Sequence, residues 1–151
     1  MDPTGLIPPE RHSKLKSLRE VDLYEPSTRA GKRLNILVPL TISDDLEVSG
    51  IVDTASQVTV LSEEIFQQLK NPPAVVEEVL LRGAAKQGQF PARKLEGLNL
   101  TIGSKVYRCS PYVAPMSDHL LIGLDFLTAH AGIIDVGNQS VSLNGSAIPT
   151  S

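Results

Sequence analysis

An aspartate followed by small and hydroxyl-bearing residues stands between two apolar runs of the chain. The stretch reads Val48-Ser49-Gly50-Ile51-Val52-Asp53-Thr54-Ala55-Ser56-Gln57-Val58-Thr59-Val60-Leu61. A carboxylate has no packing reason to lie between two strands, and loops held by rigid strands often carry reactive groups. An ordinary Asp/Ser turn would contain the same tetrapeptide. Residues 53–56 alone therefore leave both a reactive carboxylate and a plain turn open.

Short strands are expected on both sides of this loop. Apolar, β-branched runs predict strands over 34–42, 46–52 and 58–61, and Ser43-Asp44-Asp45 predicts a hairpin turn between the first two. Further strands are predicted at 75–82, 89–93, 95–102, 105–113, 120–122, 133–136 and 141–143. Residues 62–69 predict a short helix with Ser62 as its N-cap, and 125–130 predict a helical turn. The sequence indicates a mainly β domain with one or two short helices over 34–144.

Two further motifs follow the Asp53 loop. The first is a stretch of small residues between two predicted strands, Gly83-Ala84-Ala85-Lys86-Gln87-Gly88, which predicts a hairpin with a mobile tip. The second has two apolar residues and a glycine before a helical turn, Leu121-Ile122-Gly123-Leu124-Asp125-Phe126-Leu127. An ordinary surface hairpin remains an alternative for the first motif.

The composition excludes several classes of function. A chain of 151 residues with 41% hydrophobic and 21% charged residues fits one globular domain. Its net charge of −3 gives no general attraction to nucleic acid or anionic membranes, so neither partner is expected. The N-terminus lacks the apolar region of a secretion signal, and no run of about 18 apolar residues predicts a membrane span.

The single cysteine and the three histidines do not form a metal-binding pattern. Cys109 with His119 or His130 could suggest a thiol protease. However, Cys109 lies in a strand pattern without a helix N-terminus to lower its pKa, so we expect a buried, inert thiol. His12 has no second ligand at metal-binding spacing. No cofactor and no metal are expected, and the single cysteine favours a reducing, intracellular setting.

The chain ends differ from its centre. Residues 1–33 contain four prolines and more basic than acidic residues, and we expect a flexible leader with a short helix around 12–21. The folded domain is expected to begin near Leu34. Residues 145–151 are expected to form a C-terminal tail.

The three motifs, in this order, resemble the retropepsins, the aspartic proteases of retroviruses and LTR retrotransposons. That family places Asp-Thr/Ser-Gly-Ala/Ser after an apolar strand, a substrate-covering flap in the middle, and two apolar residues and a glycine before a short helix. The resemblance implies a closed, β-barrel-like fold and a symmetric homodimer. One position departs from the pattern: Ala55 replaces the usual glycine, and its methyl group restricts the backbone and crowds the approach of a substrate.

The resemblance also implies roles for individual residues. Asp53 would be the catalytic carboxylate, Thr54 would donate its hydroxyl across the dimer axis, and Ala55 would present its carbonyl to substrate. The Ser56 hydroxyl would bind the carboxylate and stabilise its charged form, which shifts activity toward acid. The flap tip would comprise Ala84, Ala85, Lys86, Gln87 and Gly88.

The resemblance further suggests which residues surround the site. Its pocket would be lined by Val60, Leu81, Ile122 and Leu124. Gly123 would allow close packing behind the loop. Asp125 would pair with a basic side chain such as Arg82 or Arg93.

The motif supplies one carboxylate, whereas aspartic proteases place two around one water. Neither Asp125 nor Asp135 has the Asp-Thr/Ser context, and about 110 residues are too few for two lobes, so a homodimer is expected. The resemblance implies an endopeptidase that cleaves a Gag-Pol polyprotein in the cytoplasm or within virus-like particles. Residues 1–33 would then link to the upstream polyprotein. The alternative, favoured by Ala55, is a weak or inactive dimerisation and protein-binding module of a domesticated host protein.

Overall fold

The structure is a computed structural model that describes residues 18–23, 36–83 and 88–151. Over these residues the chain forms thirteen strands and two helices of six residues each, which confirms the mainly β prediction. The helices are α1 (Glu63–Gln68) and α2 (Leu124–Ala129). The strands are β1 (Arg19–Asp22), β2 (Ile36–Ile42), β3 (Leu46–Val52), β4 (Val60–Ser62), β5 (Val75–Arg82), β6 (Gln89–Leu95), β7 (Leu98–Ile102), β8 (Lys105–Cys109), β9 (Tyr112–Ala114), β10 (Leu120–Ile122), β11 (Ile133–Asp135), β12 (Ser140–Leu143) and β13 (Ser146–Ala147).

Ten strands form one sheet, in the order β1-β5-β6-β9-β4-β10-β3-β2-β7-β8, and β11, β12 and β13 form a second. β3 lies near the centre, antiparallel to β2 on one side and parallel to β10 on the other. A membrane-spanning helix is not found in the described part of the chain.

The β2–β3 hairpin forms as predicted from its local sequence. Alternate residues of β2 are buried, which is the period-2 pattern of a strand with one face on the core. Ser43 and Asp44 take positive φ angles of 51° and 56°, and the Asp45 N–H donates to Ile42 O over 2.9 Å. Aspartate and other small polar residues tolerate this conformation, which closes a tight hairpin.

The predicted helix after β4 is also confirmed. Ser62 has an extended backbone, and its Oγ accepts the Ile65 N–H over 3.0 Å, as an N-cap does. Glu63 and Glu64 lie in the first turn, where negative charge is favourable. The cap fixes where α1 begins and how β4 leaves the sheet.

Buried apolar side chains form two clusters. The main core lies between β2, β3, β7, β10 and both helices, and includes Ile36, Val38, Leu100 and Phe126. The second cluster comprises Val21, Leu23, Val60, Val79, Leu81, Ala92, Tyr112, Ala114 and Leu121. The second cluster contains residues of β5 and β4, so it lies between the predicted flap hairpin and the strand that follows the Asp53 loop.

Three details depart from the sequence predictions. Arg19–Asp22 is a strand, so the helix expected around 12–21 is wrong at residues 19–21, and residues 12–17 lie outside the described ranges. The strand predicted over 105–113 is interrupted before Pro111, because proline cannot donate a ladder hydrogen bond. The expected tail instead packs on the domain: β13 pairs with β12, and the Ser151 N–H donates to Leu37 O over 2.9 Å.

Candidate active site

Asp53 lies at the end of a central strand. Val52, the last residue of β3, pairs with Ile36 of β2 and with Ile122 of β10. The Asp53 N–H donates to Ile122 O over 3.0 Å, so the peptide of Asp53 is held by the neighbouring strand. Asp53 is only 3% exposed. A rigid sheet therefore fixes this carboxylate in a largely buried position.

The loop after Asp53 folds back on the aspartate. The Ser56 N–H donates to Asp53 O over 3.0 Å, and the Ala55 N–H donates to the carboxylate oxygen Oδ1 over 3.1 Å. Thr54 is exposed between them. The loop thus orients the carboxylate and leaves one hydroxyl-bearing side chain open to a second molecule.

Ala55 fits its place in the loop. The positive φ angles of the described non-glycine residues occur elsewhere, and Ala55 is not among them. Since the left-handed region is where glycine is preferred, the alanine methyl group causes no backbone strain of that kind here. The loop of this chain therefore accommodates alanine at the position where the pattern has glycine.

The Ser56 hydroxyl does not bind the Asp53 carboxylate. It donates its single proton to Val58 O over 2.6 Å, two residues along the chain. The expectation that this hydroxyl stabilises the charged form of Asp53 is therefore wrong for this structure. Ser56 is fully buried, and its hydrogen bond to Val58 O stabilises the conformation of the loop.

A second set of contacts holds the loop from behind. Oγ1 of Thr59 donates to Oδ1 of Asp125 over 2.7 Å, and the Thr59 N–H donates to Oδ2 over 3.1 Å. The Gly123 N–H donates to Thr59 Oγ1 over 3.1 Å. The Leu124 N–H donates to Ser56 O over 2.9 Å. Sequence analysis missed Thr59, although a threonine within an apolar strand is a signal that could have identified it.

Asp125 does not pair with an arginine, contrary to expectation. Its carboxylate is bonded to Thr59, as described above, and also accepts the Phe126 N–H over 2.6 Å. Arg82 bonds Asp22, and Arg93 bonds Glu63 on α1. The sequence alone does not show which carboxylate each arginine binds, because Asp22, Glu63 and Asp125 are all far from Arg82 and Arg93 along the chain.

Gly123 lies against the loop backbone. A Cβ built at this position would lie 2.4 Å from Val58 O and 3.0 Å from Ser56 O. Backbone atoms cannot turn away as the end of a side chain can. The close approach of α2 to the Asp53 loop therefore requires a residue without a side chain.

The predicted flap hairpin is formed by β5 and β6, which pair antiparallel up to Arg82 and Gln89. The Gly83 N–H donates to Gly88 O over 3.1 Å, and Gly88 has a φ of +66°. The tip residues Ala84, Ala85, Lys86 and Gln87 lie outside the described residues. Gly88 is exposed at the base of the tip.

The expected pocket residues divide between the two clusters. Val60 and Leu81 belong to the second cluster, next to the loop and the hairpin. Ile122 belongs to the main core, and Leu124 packs against it. Leu121 belongs to the second cluster, since neighbouring residues of a strand face opposite sides. Hydrophobic periodicity cannot indicate which residue faces which side here, because β10 is buried on both faces.

Cys109, His119 and His130 take structural positions. Burial raises the pKa of the Cys109 thiol to about 12, and the nearby Asp125 charge adds to the effect, so the thiol is not a nucleophile at neutral pH. The His130 ring packs against Tyr107 and Phe126. His119 Nδ1 accepts the Ser49 N–H. No group of three or more side chains that could hold a metal occurs within 18–23, 36–83 and 88–151.

The comparisons with protein families and with solved structures agree with each other. The family described as "gag-polyprotein putative aspartyl protease" matches residues 38–129, more than half of the chain. The retroviral protease-like domain of Ddi1 from Leishmania major is similar in structure, with a TM-score of 0.56 and 17% identity over 80% of this chain and 96% of that one. EIAV protease, complexed with the inhibitor HBY-793, has a TM-score of 0.51 and 15% identity over 68% of this chain and 92% of that one. The search of curated proteins returned no match. These likenesses show a retropepsin-like fold, and the family match shows that the chain belongs to this aspartyl protease family.

Proposed function

We propose that this chain is one subunit of a homodimeric aspartic endopeptidase, with Asp53 of each copy supplying one of two catalytic carboxylates. The observation that carries the proposal is the position of Asp53. It directly follows a central strand, its peptide N–H is bonded to Ile122 O, and its carboxylate is oriented by the Ala55 N–H. Family membership supports the reaction type.

The second carboxylate has to come from another copy. Asp125 holds Thr59 through both of its oxygens, and Asp135 binds Asn138 on the C-terminal sheet. A twofold axis close to Thr54 would bring two Asp53 loops together, and the exposed Thr54 hydroxyl would bond across it. Thr54 thus connects the two halves of the composite site.

Two adjacent carboxylates that share a proton can take different roles in hydrolysis. One accepts a proton from a water molecule, and the resulting hydroxyl oxygen bonds to the carbon of the scissile carbonyl. The other, protonated, donates a hydrogen bond to the carbonyl oxygen. The tetrahedral intermediate then re-forms its carbonyl as its C–N bond breaks, and the departing nitrogen takes the proton that the first carboxylate accepted from the water. No metal or cofactor enters this scheme.

The proposed substrate is an extended polypeptide with apolar side chains near the scissile bond. Val60, Leu81 and Leu121 are aliphatic side chains of the second cluster, between the loop and the hairpin. The gag-polyprotein description of the family supports a Gag-Pol polyprotein of a retroelement as the natural substrate, cleaved in the cytoplasm or within virus-like particles.

The test compares two matched substitutions, Asp53→Asn and Asp44→Asn. Asp44 is exposed in the β2–β3 turn at a positive φ that asparagine tolerates. We expect a pepstatin-sensitive wild type at about pH 4 to 7, a loss on the order of a thousandfold or more for Asp53→Asn, and wild-type activity for Asp44→Asn. Sedimentation gives the subunit number. A folded dimer that is inert throughout this pH range would instead support the non-catalytic protein-binding module.

A further inference from the structure

A segment upstream of the family match lies along the flap hairpin. β1 runs parallel to β5, with Arg19 opposite Val79 and Asp22 opposite Arg82, and the Leu23 N–H continues the ladder to Arg82 O over 2.8 Å. β1 is the edge strand of the ten-stranded sheet. The segment therefore runs toward the flap tip as an added strand.

The same segment also touches the Asp53 loop. The peptide N–H of Gln57 donates a hydrogen bond to Leu23 O. Gln57 lies four residues after Asp53, and its own carbonyl accepts the Asp125 N–H, so its peptide is held by the start of α2. Main-chain bonds on two sides thus hold residues 19–23 between the hairpin strand and the candidate catalytic loop. Addition of an extended strand is a common mode of peptide recognition.

The side chains of the segment alternate between an apolar and a charged environment. Val21 and Leu23 are 9% and 6% exposed, and both belong to the second cluster with Val60 and Leu81. Val60 and Leu81 are two of the four pocket residues that the family resemblance suggested. The apolar contacts of Val21 and Leu23 therefore fall where the side chains of a substrate would be expected.

The alternate positions carry charges that have partners on the hairpin. Arg82 Nε donates to Asp22 Oδ1 over 2.6 Å, and Arg82 Nη1 lies 3.5 Å from Glu20 Oε2. Gln89 Nε2 donates to Glu20 Oε1 over 2.6 Å. Arg19 pairs with Glu77 through two hydrogen bonds of 2.9 and 2.7 Å. The hairpin thus offers a basic and an amide side chain to the two carboxylates of the segment.

We propose that Arg19–Leu23 occupies the peptide-binding groove of its own chain as an intramolecular ligand. The groove accordingly selects an extended peptide that runs parallel to β5, with branched apolar side chains at two alternate positions and a carboxylate at the position before each. This inference rests on the proposed function, since it identifies the groove as the substrate site. A tethered occupant has a high effective concentration, so the segment competes with any substrate supplied in solution.

The binding test uses the full chain carrying Asp53→Asn, so that hydrolysis does not enter the measurement. The probe is a fluorescein-labelled peptide with the sequence of residues 18–23, Leu-Arg-Glu-Val-Asp-Leu, followed by fluorescence anisotropy. Val21→Asp puts a charge into the apolar cluster and should release the segment. Val106→Asp makes the same change at a valine that is 60% exposed on β8. We expect Val21→Asp to tighten peptide binding about tenfold or more, and Val106→Asp to leave it unchanged.

A second measurement needs neither the Val21→Asp nor the Val106→Asp substitution. In the Asp53→Asn chain, excess peptide should raise hydrogen exchange at the amides of residues 21–23, because the added strand replaces the tethered one. Exchange in β2 should stay constant. Peptide that binds equally well to the Val21→Asp and Val106→Asp chains, or that leaves exchange at 21–23 unchanged when bound, would overturn the inference.

The two proposals fail separately. Peptide binding that depends on Val21, together with a Val21→Asp chain that cleaves nothing, contradicts the proposed hydrolysis and keeps the groove and its occupant. Cleavage that depends on Asp53, with kcat/KM equal in the Val21→Asp and Val106→Asp chains, keeps the hydrolysis and removes the occupant.

Discussion

Thr59 and Asp125 are joined by two hydrogen bonds, from the Thr59 hydroxyl to Oδ1 over 2.7 Å and from its peptide N–H to Oδ2 over 3.1 Å. The same hydroxyl accepts the Gly123 N–H. Thr59 is 1% exposed, so these groups have little access to water as an alternative partner. The pair joins the end of the Asp53 loop to the first turn of α2 and thereby holds the loop against this helix.

Replacing Thr59 by valine keeps the shape of the side chain and removes both roles of its hydroxyl. We expect the free energy of unfolding to fall by about 1–3 kcal/mol, because a buried donor and a carboxylate oxygen lose a partner. Urea denaturation followed by circular dichroism measures this. Thr101→Val is the control, since Thr101 Oγ1 makes only a 3.4 Å contact with Asp44. Equal losses for the two variants would contradict the role given to Thr59.

Gly123→Ala tests the close approach of α2 to the loop. The new Cβ would lie 2.4 Å from Val58 O, so the backbone has to move, and we expect a loss of about 3 kcal/mol in the free energy of unfolding. Gly137→Ala is the matched control, because its Cβ would lie 3.6 Å from the nearest atom beyond its chain neighbours, Asp135 Oδ1. Thermal unfolding of the two variants measures the difference. Similar melting temperatures would show that the loop can shift away from α2.

Ala55→Gly restores the residue that is usual in the family. Since Ala55 does not need a positive φ, we expect glycine to bring no relief of strain and to lower the free energy of unfolding by about 0.5–1 kcal/mol through the entropy of the unfolded chain. Denaturation and peptide-cleavage assays of the same preparation measure both properties. A more stable variant would show that the alanine is strained.

Cys109 should react slowly in the folded chain. Burial raises its thiol pKa from 9.0 to about 12, so alkylation by iodoacetamide near pH 8 should be about a hundredfold or more slower than in urea. The unfolded thiol ionises first, so stability should fall as pH rises from about 9 toward 12. Mass spectrometry follows the alkylation, and Cys109→Ser should remove this part of the pH dependence. Rapid alkylation of the native chain would contradict the raised pKa.

The parts of the fold that the sequence predicts are those with local signals. The turn at 43–45 and the N-cap at Ser62 depend on residues within a few positions of each other, and both form. β1 has no such signal, because its partner β5 begins more than fifty residues later. Leu121 and Ile122 are both apolar in a strand buried on both faces, so only the packing around them decides which one faces the second cluster.

Within the candidate site, the sequence identifies the residue types but not the direction of each hydrogen bond. Asp53 and Gly123 can be selected from the motifs. The donor and acceptor roles of Ser56 depend on where Val58 O lies after the loop has folded. A hydroxyl beside a carboxylate in the sequence can therefore bond to a carbonyl oxygen in the structure, and this changes what its removal should do.

Ser56→Ala separates these two possibilities. Because the hydroxyl donates to Val58 O and has one proton to give, its removal should leave the acidic limb of the kcat/KM profile in place, within about 0.3 pH units. It should lower the free energy of unfolding by about 1 kcal/mol through the lost loop hydrogen bond. Ser62→Ala, which removes another buried hydroxyl, gives the reference for stability alone. An acidic limb that moves upward only in Ser56→Ala would mean that this hydroxyl turns to Asp53 in the active assembly.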